Sequence, residues 1–132
     1  MPLIPGIVRV LDALDAAGVP YGMGSNGPLS KMAVTLGQHG LDARFKGHVY
    51  SGQALGRPKP LPDVYLHAAA ALGVDPTACV VVEDSGSGAL AARAAGMVCY
   101  GYAAGPVNPD LVAAGARIFT RMDDLPGLLG LI

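Results

Sequence analysis

The chain has no tryptophan, two cysteines, two phenylalanines and five tyrosines among its 132 residues. Charge is equally scarce: 14% of residues are charged, nine Lys and Arg against ten Asp and Glu. A chain this close to neutral carries no basic field, so nucleic acid is excluded as the expected partner. No apolar run approaches the roughly 18 residues of a membrane-spanning helix, and Met1-Pro2-Leu3-Ile4 lacks the basic start and long apolar core of a signal peptide. Two cysteines cannot build a disulfide framework, which favours the cytoplasm. Cys79 and Cys99 fall in predicted strands, where a buried free thiol is the ordinary reading. His39, His48 and His67 have no zinc-type spacing.

What is present is a 52% apolar chain rich in alanine and glycine, a composition for helices packed closely on a sheet in one domain of ordinary size. Ile7, Val10, Leu11 and Leu14 mark one face of a helix that Gly18 ends. Val19–Met23 reads as a short strand, Ser25-Asn26-Gly27-Pro28 as a turn, and Leu29, Met32, Ala33 and Leu36 as a helix closed by His39-Gly40. His48-Val49-Tyr50 reads as a strand. The prolines of Gly56–Pro62 exclude a helix there. Asp63 is expected to cap a helix that runs to Leu72 and stops at Gly73. After the central strand and its helix come a strand at Met97–Gly101, a short helix from Asn108-Pro109, a strand at Arg117–Thr120 and a terminal helix capped by Asp123. Alternating strands and helices predict an α/β fold with a parallel sheet.

The stretch around which the chain is organised is Cys79-Val80-Val81-Val82-Glu83-Asp84-Ser85-Gly86-Ser87-Gly88. Four β-formers without polar alternation read as a strand buried on both faces. Two carboxylates stand at its carboxyl end, followed by a Ser/Gly loop and the helix formers Ala89–Ala95, stopped by Gly96. Ligands of open α/β sheets bind outside the carboxyl ends of strands. Adjacent acids beside a helix N-terminus suit a hard cation and the anion it neutralises. The plainer reading is that Asp84 or Ser85 caps the helix and Glu83 is solvated.

Two glycine patterns, Gly22-Met23-Gly24-Ser25-Asn26-Gly27 and Gly86–Ala91, spell dinucleotide fingerprints. Neither is followed by an acid at the end of the next strand to hold a ribose, so both are turns. No GxxxxGK[ST] occurs. At the expected strand ends stand Ser25 and Asn26, then Lys59, then Glu83 and Asp84. Serine and backbone N–H groups hold phosphate oxygens, lysine is a compact cation for a phosphoryl group, and one or two carboxylates with substrate phosphate are the usual Mg²⁺ set. Each alone is a turn residue, a solvated charge or a cap; together, in this order, they point to phosphate chemistry.

At these residues the chain resembles the haloacid dehalogenase-like (HAD) hydrolases, in the branch of phosphatases related to β-phosphoglucomutase. The likeness runs from Pro5-Gly6 nearly to the C-terminus. It rests on Ser25-Asn26, on Lys59-Pro60-Leu61-Pro62-Asp63-Val64-Tyr65, on Glu83-Asp84-Ser85 with Gly88 and Ala91-Ala92, and on Ala94-Ala95-Gly96-Met97. The resemblance implies a Rossmann-like three-layer sandwich and a Mg²⁺-dependent hydrolase of phosphate monoesters. Ser25 would bind the phosphoryl group with Asn26 in support, Lys59 would steady charge, and Glu83 and Asp84 would hold Mg²⁺. A small phosphorylated metabolite is the implied substrate.

The family's first motif, DxDGT, carries a nucleophilic aspartate that forms an aspartyl-phosphate. No two aspartates here stand two positions apart. Residues 1–132 are therefore expected to be a single, N-terminally incomplete HAD core without its first strand and cap, inactive alone unless a further segment or second chain completes the sheet. The missing strand is expected between the strand before Ser25 and the one before Asp84. A phosphomutase on the same scaffold, and a non-catalytic phosphate- or metal-binding relic or interaction module, are the alternatives.

Overall fold

The computed structural model describes residues 6–38, 40–45 and 47–131. In chain order the elements are α1 (Ile7–Ala17), β1 (Met23–Ser25), α2 (Leu29–Gln38), α3 (Asp42–Phe45), β2 (Val49–Ser51), α4 (Gly52–Leu55), α5 (Asp63–Leu72), β3 (Val80–Glu83), α6 (Gly86–Ala94), β4 (Val98–Tyr102), α7 (Pro109–Ala113), β5 (Arg117–Phe119) and α8 (Leu125–Leu128). Single 3₁₀ turns lie at Pro76–Ala78 and Met122–Asp124. Among the described residues all strand pairs are parallel, in two separate ladders: β1 with β2, and β3-β4-β5 in that order. β1 and β3 share no ladder.

The strands alternate, and each side feeds a different core. Val81, Cys99 and Ile118 face a cluster with Val64, Tyr65 and Ala69 of α5, Ala89, Ala91 and Ala92 of α6, and Leu111 of α7. Tyr100, Tyr102 and Phe119 face Ile7, Val10 and Leu14 of α1 with Met122 and Leu125. Leu11 of α1 reaches the other ladder, where Met23 and Val49 meet Leu36, Leu41 and Phe45. The result is helix, sheet, helix: α5, α6 and α7 on one side, α1 and α8 on the other, with α1 packing against both ladders. This is the α/β, Rossmann-like three-layer sandwich that the resemblance implied.

Several boundaries differ from the sequence reading for identifiable reasons. Gly18, at φ 69°, ends α1 as expected. The same terminator ties the Val19 N–H back to Leu14 O, and ladder pairing starts only at Met23, whose N–H reaches His48 O. The first strand is therefore Met23–Ser25 rather than Val19–Met23, and Ser25 is its last residue rather than part of the turn. Cys79 likewise closes the 3₁₀ turn instead of lying in β3. Asp63 does not cap α5; it is the first helical residue and pairs with Arg57 at 2.9 Å. Asp123 makes no terminal cap either, because its carboxylate meets Arg9 at 2.9 Å. α3 and α4, four residues each, fell below what periodicity resolves. His39, expected to help close α2, lies outside the described residues.

One correction bears on function. β3 is not buried on both faces: Val81 is covered, but Val80 is 46% and Val82 39% exposed. Both stand on the strand that borders the break between the ladders.

Leu111 is fully buried between α6, α7 and the sheet, whereas neighbouring Val112 points to solvent. Leu111→Ala should cost about 2–5 kcal/mol and Val112→Ala no more than about 0.5 kcal/mol, read from urea denaturation midpoints.

Candidate functional site

β1 and β3 are not paired, yet one side chain joins their carboxyl ends. Lys59 Nζ donates to Gly24 O of β1 at 3.2 Å and to Glu83 Oε2 of β3 at 2.8 Å. The ion pair is buried, with the side chains 9% and 10% exposed. Tyr65, from the first turn of α5, donates its hydroxyl to the same Glu83 oxygen at 2.6 Å. Its ring also lies 5.0 Å from the Lys59 ammonium, within cation–π range.

The loop that delivers Lys59 is held from β1. Asn26 Oδ1 accepts the Lys59 N–H at 2.7 Å, and Asn26 Nδ2 donates to Lys59 O at 3.5 Å. Beneath it, Ser51 donates to Gly27 O at 2.6 Å and accepts from Ala54 N, capping α4. Gly52 must lack a side chain: a Cβ there would stand 2.8 Å from Asn26 Oδ1 and 2.9 Å from Pro58 Cα. Ser25 Oγ accepts the Gly27 N–H at 3.1 Å, shaping the turn after β1.

The two carboxylates at the end of β3 occupy different surroundings. Glu83 Oε1 accepts from Asp84 N, Ser85 N and Ser85 Oγ at 3.0, 3.4 and 3.2 Å. With the Lys59 and Tyr65 bonds on Oε2, its roughly four acceptor sites are filled. Glu83 is thus not solvated, the plainer alternative for it. The capping alternative does hold for Ser85, whose Oγ accepts Gly88 N at 3.1 Å at the start of α6. Asp84 is exposed and makes no ion pair with a described residue.

Proton affinities follow these surroundings. Burial works to raise Glu83, but the bonds from Lys59 and Tyr65 outweigh it and hold the carboxyl at about 2, below its ordinary 4.5. Asp84 moves the other way, raised by burial and by Glu83 beside it. Burial, and then Glu83, pushes the Tyr65 phenol up, so it stays protonated and can donate.

All the strand-end residues named from sequence therefore stand along one edge. Asn26, Lys59 and Glu83 are bonded in series, Ser25 is next to Gly24 on β1, and Asp84 is next to Glu83. Sequence reasoning quoted Tyr65 and Gly88 without giving either a role. A Cβ at Gly88 would overlap the Glu83 side chain, so this glycine makes room for the carboxylate. The available signal was the six-residue spacing from Lys59 to an aromatic on the following helix.

A family model for haloacid dehalogenase-like hydrolases matches residues 1–96. The chain belongs to that family. The HAD chain is 34% identical over 125 residues to the 6-phosphogluconate phosphatase of Escherichia coli K12, covering 89% of this chain and 57% of that protein. It is 38% identical over 96 residues to hexitol phosphatase B of the same organism, covering 73% and 43%. The structure superposes on a HAD family hydrolase from Deinococcus radiodurans R1, solved with bound phosphate and sodium, with a TM-score of 0.88 and 39% identity, over 98% of this chain and 61% of that one. The HAD chain thus spans less than two thirds of each of these relatives.

The Glu83 carboxyl binds protons less readily when folded than when unfolded, so its contribution to stability is present above about pH 4.5 and is lost as pH falls towards 2. The stability difference between the native chain and Glu83→Gln, followed by urea denaturation at successive pH values, should be constant above that range and shrink within it.

Proposed function

We propose that this chain carries the phosphate-, lysine- and metal-binding part of a Mg²⁺-dependent HAD phosphatase acting on small phosphate monoesters. The observation that carries the reading is Lys59, whose ammonium bridges Gly24 O and Glu83 at the carboxyl ends of two unpaired strands. Lysine has three N–H donors. Two are used here, which leaves the third for a phosphoryl oxygen or a nucleophile's carboxylate. The Ser25 hydroxyl and the loop after it would hold the remaining phosphoryl oxygens, and Asn26 keeps the Lys59 loop in register with them.

The donor set fits Mg²⁺. Among the described residues no three His, Cys, Asp or Glu side chains gather as a closed metal site, but Mg²⁺ usually takes only one or two carboxylates with substrate phosphate and water. Of the two acids, Asp84 is the exposed oxygen donor whose negative charge lacks a counterion, and the neighbouring Glu83 makes that charge costly. Asp84 is the direct ligand in this reading, and Glu83, saturated by hydrogen bonds, supports it from behind. When bound, the ion would supply positive charge to the phosphoryl oxygens.

The nucleophile is the remaining part. We place it on a strand lying between β1 and β3 and bearing a DxD motif, supplied by a further segment or a second chain. The break between the ladders and the exposed Val80 and Val82 beside it support this placement. The relatives named phosphatases support phosphate monoesters; a structure assigned as a β-phosphoglucomutase from Thermotoga maritima is similar too, which keeps phosphomutase as the alternative. The cytoplasm remains the proposed setting; among the described residues no helix is long and apolar enough to cross a membrane.

Titrating Mg²⁺ into the isotope-labelled chain should shift the amides of residues 83–86, with weak affinity, and Asp84→Asn should abolish those shifts. Shifts clustered elsewhere, or unchanged in the variant, would remove Asp84 from the site.

A second experiment concerns the nucleophile. The chain alone should hydrolyse p-nitrophenyl phosphate negligibly with Mg²⁺, since loss of a covalent nucleophile removes most of the rate acceleration. Co-expression with a DxD-bearing strand segment should raise turnover, and Lys59→Ala should abolish the gain. Robust turnover by the chain alone, sensitive to Lys59→Ala, would place the nucleophile within residues 1–132.

A further inference from the structure

Tyr65 is buried beside the Lys59–Glu83 pair, and two features of the sequence converge on it. The first is Gly24. It is the middle residue of β1, a strand of three residues, where a glycine packs nothing and weakens the strand. Its backbone does not lie in the left-handed region. What requires a glycine is space: a Cβ there would stand 3.2 Å from Tyr65 Cε1, 3.4 Å from Val64 Cγ2 and 3.5 Å from Tyr65 Cδ1. The Tyr65 ring therefore lies directly against the β1 backbone, at the residue whose carbonyl accepts from Lys59.

The second feature is the hydroxyl. A phenylalanine would fill the same space in the core with Val64, Ala69 and Ala89 and would bring no polar atom to satisfy. The tyrosine hydroxyl instead donates to Glu83 Oε2 at 2.6 Å, within the short range of a bond to an ionised oxygen. One side chain of α5 thus packs on β1 and bonds to β3, spanning the break between the two ladders.

Lys59 needs such a support. Its ammonium sits on a flexible four-carbon stem, and Gly24 O and Glu83 Oε2 are its two acceptors. Two contacts leave a head group free to pivot about the line that joins them. The Tyr65 ring, 5.0 Å from Nζ, supplies a third contact from another element. Its hydroxyl is bonded to the same oxygen that holds the lysine, so the carboxylate is fixed along with the ammonium.

We propose that Tyr65 is a positioning residue for Lys59: its ring against Gly24 and its hydroxyl on Glu83 set the span between the two strand ends and keep the ammonium in place for a phosphoryl group. The consequence for phosphate rests on the phosphatase reading; the hold of Tyr65 on Lys59 rests on the contacts alone.

The test uses the isotope-labelled chain and reads two quantities. One is the exchange with water of the Lys59 ammonium protons; the other is the affinity for inorganic phosphate, from amide shifts at Ser25 and Asn26. Tyr65→Phe keeps the ring and removes the hydroxyl. The ammonium protons should then exchange about tenfold faster, as for loss of a bond to a charged group, and phosphate should bind about threefold more weakly because its cation is misplaced. The Val81 and Cys99 amides, in the β3–β4 ladder, report opening of the core and should keep their rates. Gly24→Ala leaves every hydrogen-bonding group in place and presses on the ring; both quantities should move the same way, by about twofold.

An ammonium that exchanges as in the native chain, or that speeds up only in step with the Val81 and Cys99 amides, would leave Tyr65 as core packing and overturn the proposal. Faster exchange with phosphate affinity intact overturns it too. If phosphate shifts neither Ser25 nor Asn26 in the native chain, the phosphatase reading fails, and the exchange rates still decide whether Tyr65 holds Lys59. If Tyr65→Phe loses its folded spectrum, Gly24→Ala decides, and an unchanged ammonium there is equally fatal.

Discussion

The buried pair between Lys59 and Glu83 is the contact on which the arrangement depends. It is the direct polar bridge from β1 to β3 across a sheet that is otherwise split, since the same ammonium also reaches Gly24 O. An isolated buried pair gains little over apolar packing, because removing two charges from water offsets most of their attraction. Its value lies in what surrounds it: Tyr65 and three donors from residues 84 and 85 fill the Glu83 oxygens, and Asn26 clamps the lysine's backbone. A fully satisfied network rigidifies, whereas a partly satisfied one is worse than none. Loss of any one member therefore exposes the others to the desolvation cost.

That network also explains why two adjacent carboxylates take opposite roles. Successive residues of a strand point to opposite sides. Glu83 turns inward, where α5 supplies Tyr65 and the Gly56–Pro62 loop supplies Lys59. Gly88 of α6 leaves the space its side chain fills. Asp84, one residue on, is outside this shell. The charge of Glu83 is met by one cation and four neutral donors, while that of Asp84 is raised in cost by burial and by Glu83 itself. In the proposed function, a cation at this edge would meet Asp84 as its oxygen donor, the Glu83 oxygens being already committed to hydrogen bonds.

The fold was legible wherever one strong local signal acted alone. Gly18 and Gly73 end their helices in the left-handed region, as glycine after an apolar-periodic run should, and Asn108-Pro109 opens α7 as expected, Asn108 Oδ1 accepting the Asp110 N–H. Errors came where two signals competed for one residue. Asp63 and Asp123 have good capping side chains, but each lies within reach of an arginine distant or offset in sequence, and the ion pair won. Val19 has a strand former's side chain, yet its N–H was already taken by the α1 terminator. At the site, residue identities and order were readable because they depend on strand ends. The series Asn26–Lys59–Glu83–Tyr65 was not, since it depends on which way side chains turn in three dimensions.

The reading of Val80-Val81-Val82 as a strand covered on both faces failed in this chain, and the failure is informative. Such a run is the pattern of an interior strand in a parallel sheet, where both faces carry helices and both edges carry neighbours. Among the described residues β3 has β4 on one edge and no ladder on the other, and the exposed valines lie on that same strand. Exposed apolar side chains beside an unpaired strand edge form an adhesive surface that natural sheets usually blunt with charge, proline or a bulge. Among its four residues, β3 carries only Glu83 as a charge, and that one is turned inward to Lys59. Neither a proline nor a bulge interrupts the strand. The local sequence is written for an interior position, which is the physical ground for placing a further strand between β1 and β3. Such a strand would run parallel to both neighbours and end where the free N–H of Lys59 and the Asp84 carboxylate stand.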